Sequence, residues 1–326
     1  MLRFLFKHKF KSALCILLIA VVVVAGFVIY HGRDLASPAR RALQDYHTVI
    51  LENPEAHGIS IERLDCLDGK VPTLIVEPDS QSVVGKRGEL LRSQTKAKGV
   101  QLSEHGVIVK TVVLLHGRNG RKEDLLPVAE RFCAVGLRCV LIDMPAHGDS
   151  PVQLVKFGAD EWEQDLPRAV LLECAEKFQF SADHAALWGM SMGGSFANSA
   201  VADPKHGHTW SSLTIVCSFD SLQSVLEAQS HSSFLTDCVS KVCQSSGGAD
   251  ISQVSPALWV KDVTTPVLVV HGKEDQLIPS DNGKNLYHSY ASERKRWIQV
   301  AEGNHSNILI TPMPLYAEMA EWILQR

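Results

Sequence analysis

Ser191 stands in Gly189-Met190-Ser191-Met192-Gly193, directly after an apolar run ending at Trp188 and before the small residues Gly194, Ser195, Ala197, Ser199 and Ala200. Such a run implies a strand, a sharp turn and a helix. The turn would lift Ser191 out of the sheet edge on a strained backbone, and the two glycines would permit close approach of helix and strand. A serine hydroxyl is a poor nucleophile at neutral pH, so it needs a base to take its proton and a carboxylate to hold the base in the right tautomer. Both types occur downstream, each in a loop after an apolar run. Asp275 lies in His271-Gly272-Lys273-Glu274-Asp275-Gln276-Leu277-Ile278-Pro279, and His305 in Glu302-Gly303-Asn304-His305-Ser306. Asp220, after the run Ser212–Val216, is the rival carboxylate. Together these residue types support acyl transfer through a covalent intermediate.

Acyl transfer builds negative charge on a carbonyl oxygen, and each backbone N–H aimed at that oxygen is worth roughly 3 to 4 kcal/mol of barrier. The N–H of Met192, one residue past the nucleophile, is one expected donor of this oxyanion hole. The other is expected from Arg118, with Asn119 as second choice, in Leu115-His116-Gly117-Arg118-Asn119-Gly120. His116, His147 and His271 read as structural turn residues. Asp143 and Asp149 read as braces of the loop Asp143–Ser150, with a place in the pocket as the alternative for Asp149. Trp162 and Trp259 read as packing rather than ligand-stacking residues.

The elements that must position these groups follow from the apolar pattern. Two β-rich runs, Ile59–Leu64 and Val71–Val76, flank Asp68-Gly69 and predict a hairpin. From Asp79 to His105 the composition turns polar and basic, which predicts an insertion or long surface loop with a short helix near Glu89. Strands are then predicted at Thr111–Leu115, Arg138–Ile142, Ala185–Trp188, Ser212–Val216, Pro266–Val270 and Arg296–Val300. Helices are predicted at Asp124–Val135, Glu161–Phe178, from Met192, Ser280–Tyr290 and Pro314–Leu324. Short apolar strands alternating with amphipathic helices imply a mainly parallel sheet covered on both faces. Residues 219–262, rich in Ser and Gln, break this rhythm and read as a small cap over the strand ends.

From about Ile59 to Arg326 the chain resembles the α/β-hydrolase superfamily, through HGRNG at 116–120, DMPAHGDS at 143–150, GMSMGG at 189–194, HGKEDQLIP at 271–279 and GNHSN at 303–307. It looks most like the esterases and the dienelactone-hydrolase or serine-aminopeptidase-like group. The resemblance implies an α/β-hydrolase fold, nucleophile Ser191, acid Asp275, base His305, oxyanion donors Arg118 and Met192, no metal and no organic cofactor. It implies a small-molecule acyl substrate but not whether this is an ester, a thioester or a peptide. A large lid domain is missing from the pattern, which argues against a lipase acting on bulk fat. The alternatives are a prolyl-oligopeptidase-like or aminopeptidase activity, or a non-catalytic binding module. An intact Ser, His and Asp set argues against the last.

The chain has 326 residues, 45% hydrophobic and 21% charged, enough to bury a sizeable core. Seven basic residues (Arg3, Lys7, Lys9, Lys11, Arg33, Arg40, Arg41) and one acid, Asp34, precede Ala42, so the remainder carries a net charge of −10. That charge disfavours nucleic acid as a partner. Between Ser12 and Tyr30, 19 consecutive residues carry no charge, and a helix of that length spans about 28 Å, close to a bilayer's hydrocarbon thickness. The expected organisation is a basic tail at 1–11, a membrane anchor at 12–30, a linker at 31–57 that is helical from Ala36, and a catalytic domain at 58–326. A cleaved signal peptide is the rival for the apolar run, but signal peptides have shorter apolar cores ending in a small-residue site. Four basic residues before the run against three after it favour a cytoplasmic N-terminus and an exported catalytic domain. Oligomeric state is left open. Cys133 and Cys139 read as buried hydrophobes, and Cys238 and Cys243 as a pair that an exported domain could join.

Overall fold

The computed structural model describes residues 2–311 and 314–325, with side chains from 12 onward except that of 13. The ends of the basic tail and of the catalytic domain, Met1 and Arg326, lie outside the described residues. So do the side chains of Arg3, Lys7, Lys9 and Lys11, on which the topology expectation rests.

Eight strands form one sheet: β1 (Ile59–Asp65), β2 (Val71–Pro78), β3 (Lys110–Leu115), β4 (Leu137–Ile142), β5 (Ala186–Met190), β6 (Ser212–Val216), β7 (Val267–Gly272) and β8 (Lys295–Val300). Their order is β1-β2-β4-β3-β5-β6-β7-β8. β2 pairs antiparallel with β1 and β4, and all other pairs are parallel. From β3 the chain first adds a strand on one side, β4, and then returns to add β5 on the other. This is the switch point at which a crevice opens beyond the carboxyl ends of parallel strands. Ser191 follows β5 at that point.

Strand side chains alternate between faces, and both faces are apolar. Val113, Leu115, Leu187, Ile215 and Val269 pack under α5 (Glu161–Phe178) and α6 (Met192–Ala202). Val112, Leu114, Trp188, Leu268 and Val270 pack under α4 (Leu126–Ala134) and α10 (Leu315–Leu324). The remaining helices are α1 (Leu2–Ala36), α2 (Asp45–Glu52), α3 (Lys86–Ala97), α7 (Leu222–Ser230), α8 (Ser233–Ser245) and α9 (Ser280–Ser289). α7 and α8 form the body of the cap.

The β1–β2 hairpin that the sequence predicts is present, and three regions add to or depart from the rest of the expectation. Residues 79–105 contain not a short helix but the 12-residue α3, which buries Leu91 and sets Gly88 so close to α4 that a Cβ there would lie 2.6 Å from the Ala134 methyl. Within the linker, residues 31–36 continue α1, α2 follows, and Pro54–His57 form a 3-10 turn; the stretch between α1 and α2 is docked rather than free, because the Arg40 guanidinium donates to the carbonyls of Gly148, Ser150 and Val152. His47, fully buried, meets Asp124 at 2.8 Å. The turn between β1 and β2 uses Leu67 and Asp68, both left-handed with φ of 54° and 57°.

α1 continues well past Tyr30. Its segment Leu14–Ala36 is long and apolar enough to cross a membrane, and Ile16, Val22 and Tyr30 on it are exposed. The last turns instead pack on α8: a Cβ at Gly32 would lie 2.6 Å from Val242, and Leu35 and Ala36 are buried. Cys238 and Cys243 share α8 and, like every described cysteine, are not in a disulfide. The sulfurs of Cys66 and Cys174, which the sequence does not single out as a pair, lie 3.7 Å apart in the core.

Candidate active site

The turn from β5 into α6 places Ser191 at φ 54°, ψ −120°, a backbone an L-residue holds only where its surroundings impose it. Those surroundings are backbone. A Cβ at Gly189 would lie 2.3 Å from the Gly193 carbonyl, and one at Gly193 only 2.2 Å from the Leu115 carbonyl, so helix, turn and β3 interlock without room for a methyl group. The Ser191 N–H donates to the Val216 carbonyl at 2.9 Å, and Ser218 Oγ donates to the Ser191 carbonyl at 2.9 Å.

The loops after β7 and β8 meet at the same edge. Ser191 Oγ lies 3.1 Å from His305 Nε2, and His305 Nδ1 lies 2.7 Å from Asp275 Oδ2. The other Asp275 oxygen, Oδ1, accepts the N–H groups of Leu277 (3.0 Å) and Ile278 (2.9 Å). Burial alone would push the Asp275 carboxyl up, but His271, His305 and the Ile278 N–H outweigh it and hold it well below the usual carboxylate range. Asp275 is therefore an anion through the physiological range.

Asp220 is elsewhere. Its oxygens accept the Ser221 N–H (2.7 Å), Ser224 Oγ (2.6 Å) and Asn285 Nδ2 (3.0 Å), so it braces the start of α7 against α9.

The loop after β3 passes directly against Ser191: a Cβ at Gly117 would lie 3.4 Å from that of Ser191. A turn closed by Gly120 N–H to the Gly117 carbonyl, 3.0 Å, makes Arg118 and Asn119 its two central residues, with Asn119 left-handed at φ 59°. The Met192 N–H, first in α6, has no acceptor within the helix. The Arg118 side chain points away to the end of α1, where it donates to the carbonyl (2.9 Å) and carboxylate (2.5 Å) of Asp34.

The other conspicuous polar residues form the frame. His116 Nδ1 donates to the Gly117 carbonyl while Nε2 accepts the Met144 N–H, and burial pushes its pKa down to about 4. Burial pushes that of His147 down to about 3. His271 Nε2 donates to the Ile278 carbonyl at 2.9 Å and lies 3.5 Å from Asp275. Asp143 accepts the N–H groups of Lys122 and Asp149. Glu123, Asp143 and Asp149 converge as cation ligands do, but Lys122 Nζ sits among them at 3.1, 2.7 and 2.6 Å and fills the place. Cys217, His271 and Asp275 also cluster, behind the imidazole of His305, with burial holding the Cys217 thiol up in its neutral form. Trp162 is partly exposed on α5, and Trp259 packs against the core.

Ser191, His305 and Met192 open into a cleft of about 680 Å3. Phe157, Phe219, Leu222, Val225 and Ile278 supply its apolar wall, and Leu35, Arg41 and Tyr46 close its opposite side. Leu35 and Tyr46 are not readable as site residues, because nothing local in the sequence says that the end of α1 and α2 fold back onto the crevice.

The comparisons with known proteins agree with this architecture. Residues 163–312, which include Ser191, Asp275 and His305, match the prolyl oligopeptidase family model. The fold is similar to an esterase from Pyrococcus furiosus (15% identity, 89% of this chain and 97% of that one, TM-score 0.62). It is also similar to a 2,6-dihydroxy-pseudo-oxynicotine hydrolase (16% identity, 81% and 67%, TM-score 0.54). An acylaminoacyl peptidase from Pyrococcus horikoshii aligns with 88% of this chain but only 45% of its own (16% identity, TM-score 0.55). No curated protein matches the chain. Sheet order, elbow and matches together define the class: the chain has the α/β-hydrolase fold. By their printed names, the Pyrococcus furiosus protein is an esterase and the Pyrococcus horikoshii protein a peptidase.

Proposed function

We propose that the protein is a membrane-anchored serine hydrolase that cleaves an ester or related acyl bond. The observation that carries this reading is the hydrogen-bonded chain Ser191 Oγ, His305 Nε2, His305 Nδ1, Asp275 Oδ2, at 3.1 and 2.7 Å. His305 takes the Ser191 proton as Oγ attacks the acyl carbon. The oxyanion is received by the N–H groups of Met192 and Arg118, with Asn119 as second choice in place of Arg118. His305 then protonates the leaving group, deprotonates a water, and the acyl-enzyme breaks down to the free acid and Ser191. No metal or organic cofactor has a role in this sequence. A small-molecule acyl compound is the substrate, and the membrane is the partner through α1.

A peptidase reading draws on the family match over residues 163–312. Comparing turnover of small aryl esters with that of peptide amides separates the two. Ser191→Ala in the full-length protein should lower hydrolysis by a factor on the order of 10^6, and retention of a tenth of the activity would refute the mechanism. The anchor reading adds that the protein stays in the membrane fraction after a high-salt wash, since an apolar span is insensitive to screening. A mature N-terminus found beyond Tyr30 would favour a cleaved signal peptide. Export of the catalytic domain is supported by the distribution of basic residues around the span, and proteolysis of sealed membrane preparations from either side tests it.

A further inference from the structure

A second cavity, of about 300 Å3, adjoins the catalytic cleft, and Leu35, Arg118, Leu226 and Gln229 line both. One layer of side chains therefore divides them. The second cavity is walled by the anchor helix on one side and the cap on the other. Phe27 and Leu35 of α1 face Leu226 of α7 and Leu235 and Val239 of α8 across it. Its polar groups are His31 and Asp34 of α1, Arg118 of the loop beside Ser191, and Gln229, Ser230 and Thr236 of the cap, the last two hydrogen-bonded to each other at 3.0 Å.

The two helices run antiparallel. Ala36 is packed near Cys243 and Gly248, Gly32 touches Val239 and Val242, and Phe27 and His31 share the cavity with Leu235. The N-terminal end of α8 therefore points back along the membrane segment, and Phe234 there is 71% exposed. An apolar ring so exposed, level with the end of a membrane-crossing segment, belongs at a bilayer surface.

From Phe27 to Leu35 the α1 wall is about 12 Å long by helix rise. It begins on the apolar segment and ends at the catalytic cleft. We propose that this cavity holds the acyl chain of a membrane-resident long-chain ester, which enters sideways from the bilayer between α1 and α8 and presents its carbonyl to Ser191. The inference rests on the serine-hydrolase reading for its chemistry but not for its binding site. The polar groups at the inner end lie where the ester and headgroup of such a lipid would sit.

Two measurements on the full-length protein test it. In the first, kcat/KM for a 16-carbon and a 4-carbon p-nitrophenyl ester is compared in wild type, Leu235→Trp and Val239→Trp, two positions that line the second cavity but not the catalytic cleft. Each buried methylene contributes up to roughly fourfold, so wild type should prefer the long ester, and a ring filling the cavity should lower the long-to-short ratio at least tenfold in each variant. The short ester reports in the same samples that the site is assembled. In the second, Ser191→Ala protein in phosphatidylcholine vesicles is photolysed with a palmitoyl ester carrying a diazirine at its chain end. Adducts at Phe27–Leu35 and Leu235–Val239 are expected, and they do not depend on turnover. An unchanged ratio in both tryptophan variants, or adducts confined to residues 14–24, would overturn the proposal. Absence of all ester turnover together with adducts at the expected positions would instead defeat the hydrolase reading and leave a lipid-binding cavity.

Discussion

Replacing Asp275 by Asn probes the catalytic chain at its buried end, and the structure dictates which way the amide must turn. Oδ1 of Asp275 accepts two backbone N–H groups, from Leu277 and Ile278. Only an oxygen can satisfy both, so the asparagine NH2 is forced into the position of Oδ2, 2.7 Å from His305 Nδ1. An NH2 there donates where the carboxylate accepted. His305 must then leave Nδ1 unprotonated and carry its proton on Nε2, which points a hydrogen at Ser191 Oγ and removes the base. The expected loss in kcat is about 10^4, equivalent to about 5 kcal/mol of barrier, with KM little changed because Asp275 does not line the cleft. Steady-state hydrolysis of an aryl ester, with circular dichroism to check folding, measures it. Asp220→Asn serves as the comparison and should retain turnover, since Asp220 only braces α7. A folded Asp275→Asn enzyme within tenfold of wild type, or an inactive Asp220→Asn, would refute the assignment of the acid.

Gly193→Ala should lower stability by about 3 kcal/mol, because the new Cβ would meet the fixed carbonyls of Leu115 and His116; a thermal melt within one degree of wild type would contradict this. Arg118→Ala should keep kcat within about tenfold, since the oxyanion donor is a backbone N–H and the side chain serves Asp34; a loss of 10^3 would make the guanidinium a direct participant. Burial pushes Glu163 up to about 8 from its ordinary 4.5. The unfolded chain thus releases this proton first, and the stability this group contributes falls as pH rises between those values, at roughly 1 kcal/mol per unit. The melting temperature of wild type relative to that of Glu163→Gln should therefore fall as pH rises from 5 to 8; a relative melting temperature that stays flat or rises would contradict this.

How far the sequence alone reaches depends on whether a constraint is local. The elbow is legible because a left-handed serine between two tightly packed backbones requires glycine at fixed offsets, Gly189 and Gly193. Asp275 and His305 are legible because each follows an apolar strand by a short loop, and parallel strands deliver such loops to one edge. The choice between Asp275 and Asp220 is not local, since both follow strands; only the β7–β8 adjacency brings one of them to His305. α3 is obscured by its polar composition, with Leu91 nearly alone as a core residue, so its helical period carries little apolar signal. The docking of Arg40 on the Gly148–Val152 loop, and of Asp34 on Arg118, joins residues about a hundred positions apart or nearly so. No spacing rule announces such contacts, yet they make the end of α1 a wall of the cleft beside Ser191.

The central claim is that Ser191 is the activated nucleophile. Full-length protein treated with a fluorophosphonate and then digested for peptide mass analysis addresses it most directly. One phosphonyl adduct per chain on the peptide containing Ser191 is expected, formed in wild type, lost in Ser191→Ala, and slowed on the order of 10^4 in Asp275→Asn. Labelling of Ser191→Ala at the wild-type rate, or an adduct on any other serine in the intact enzyme, would contradict the account.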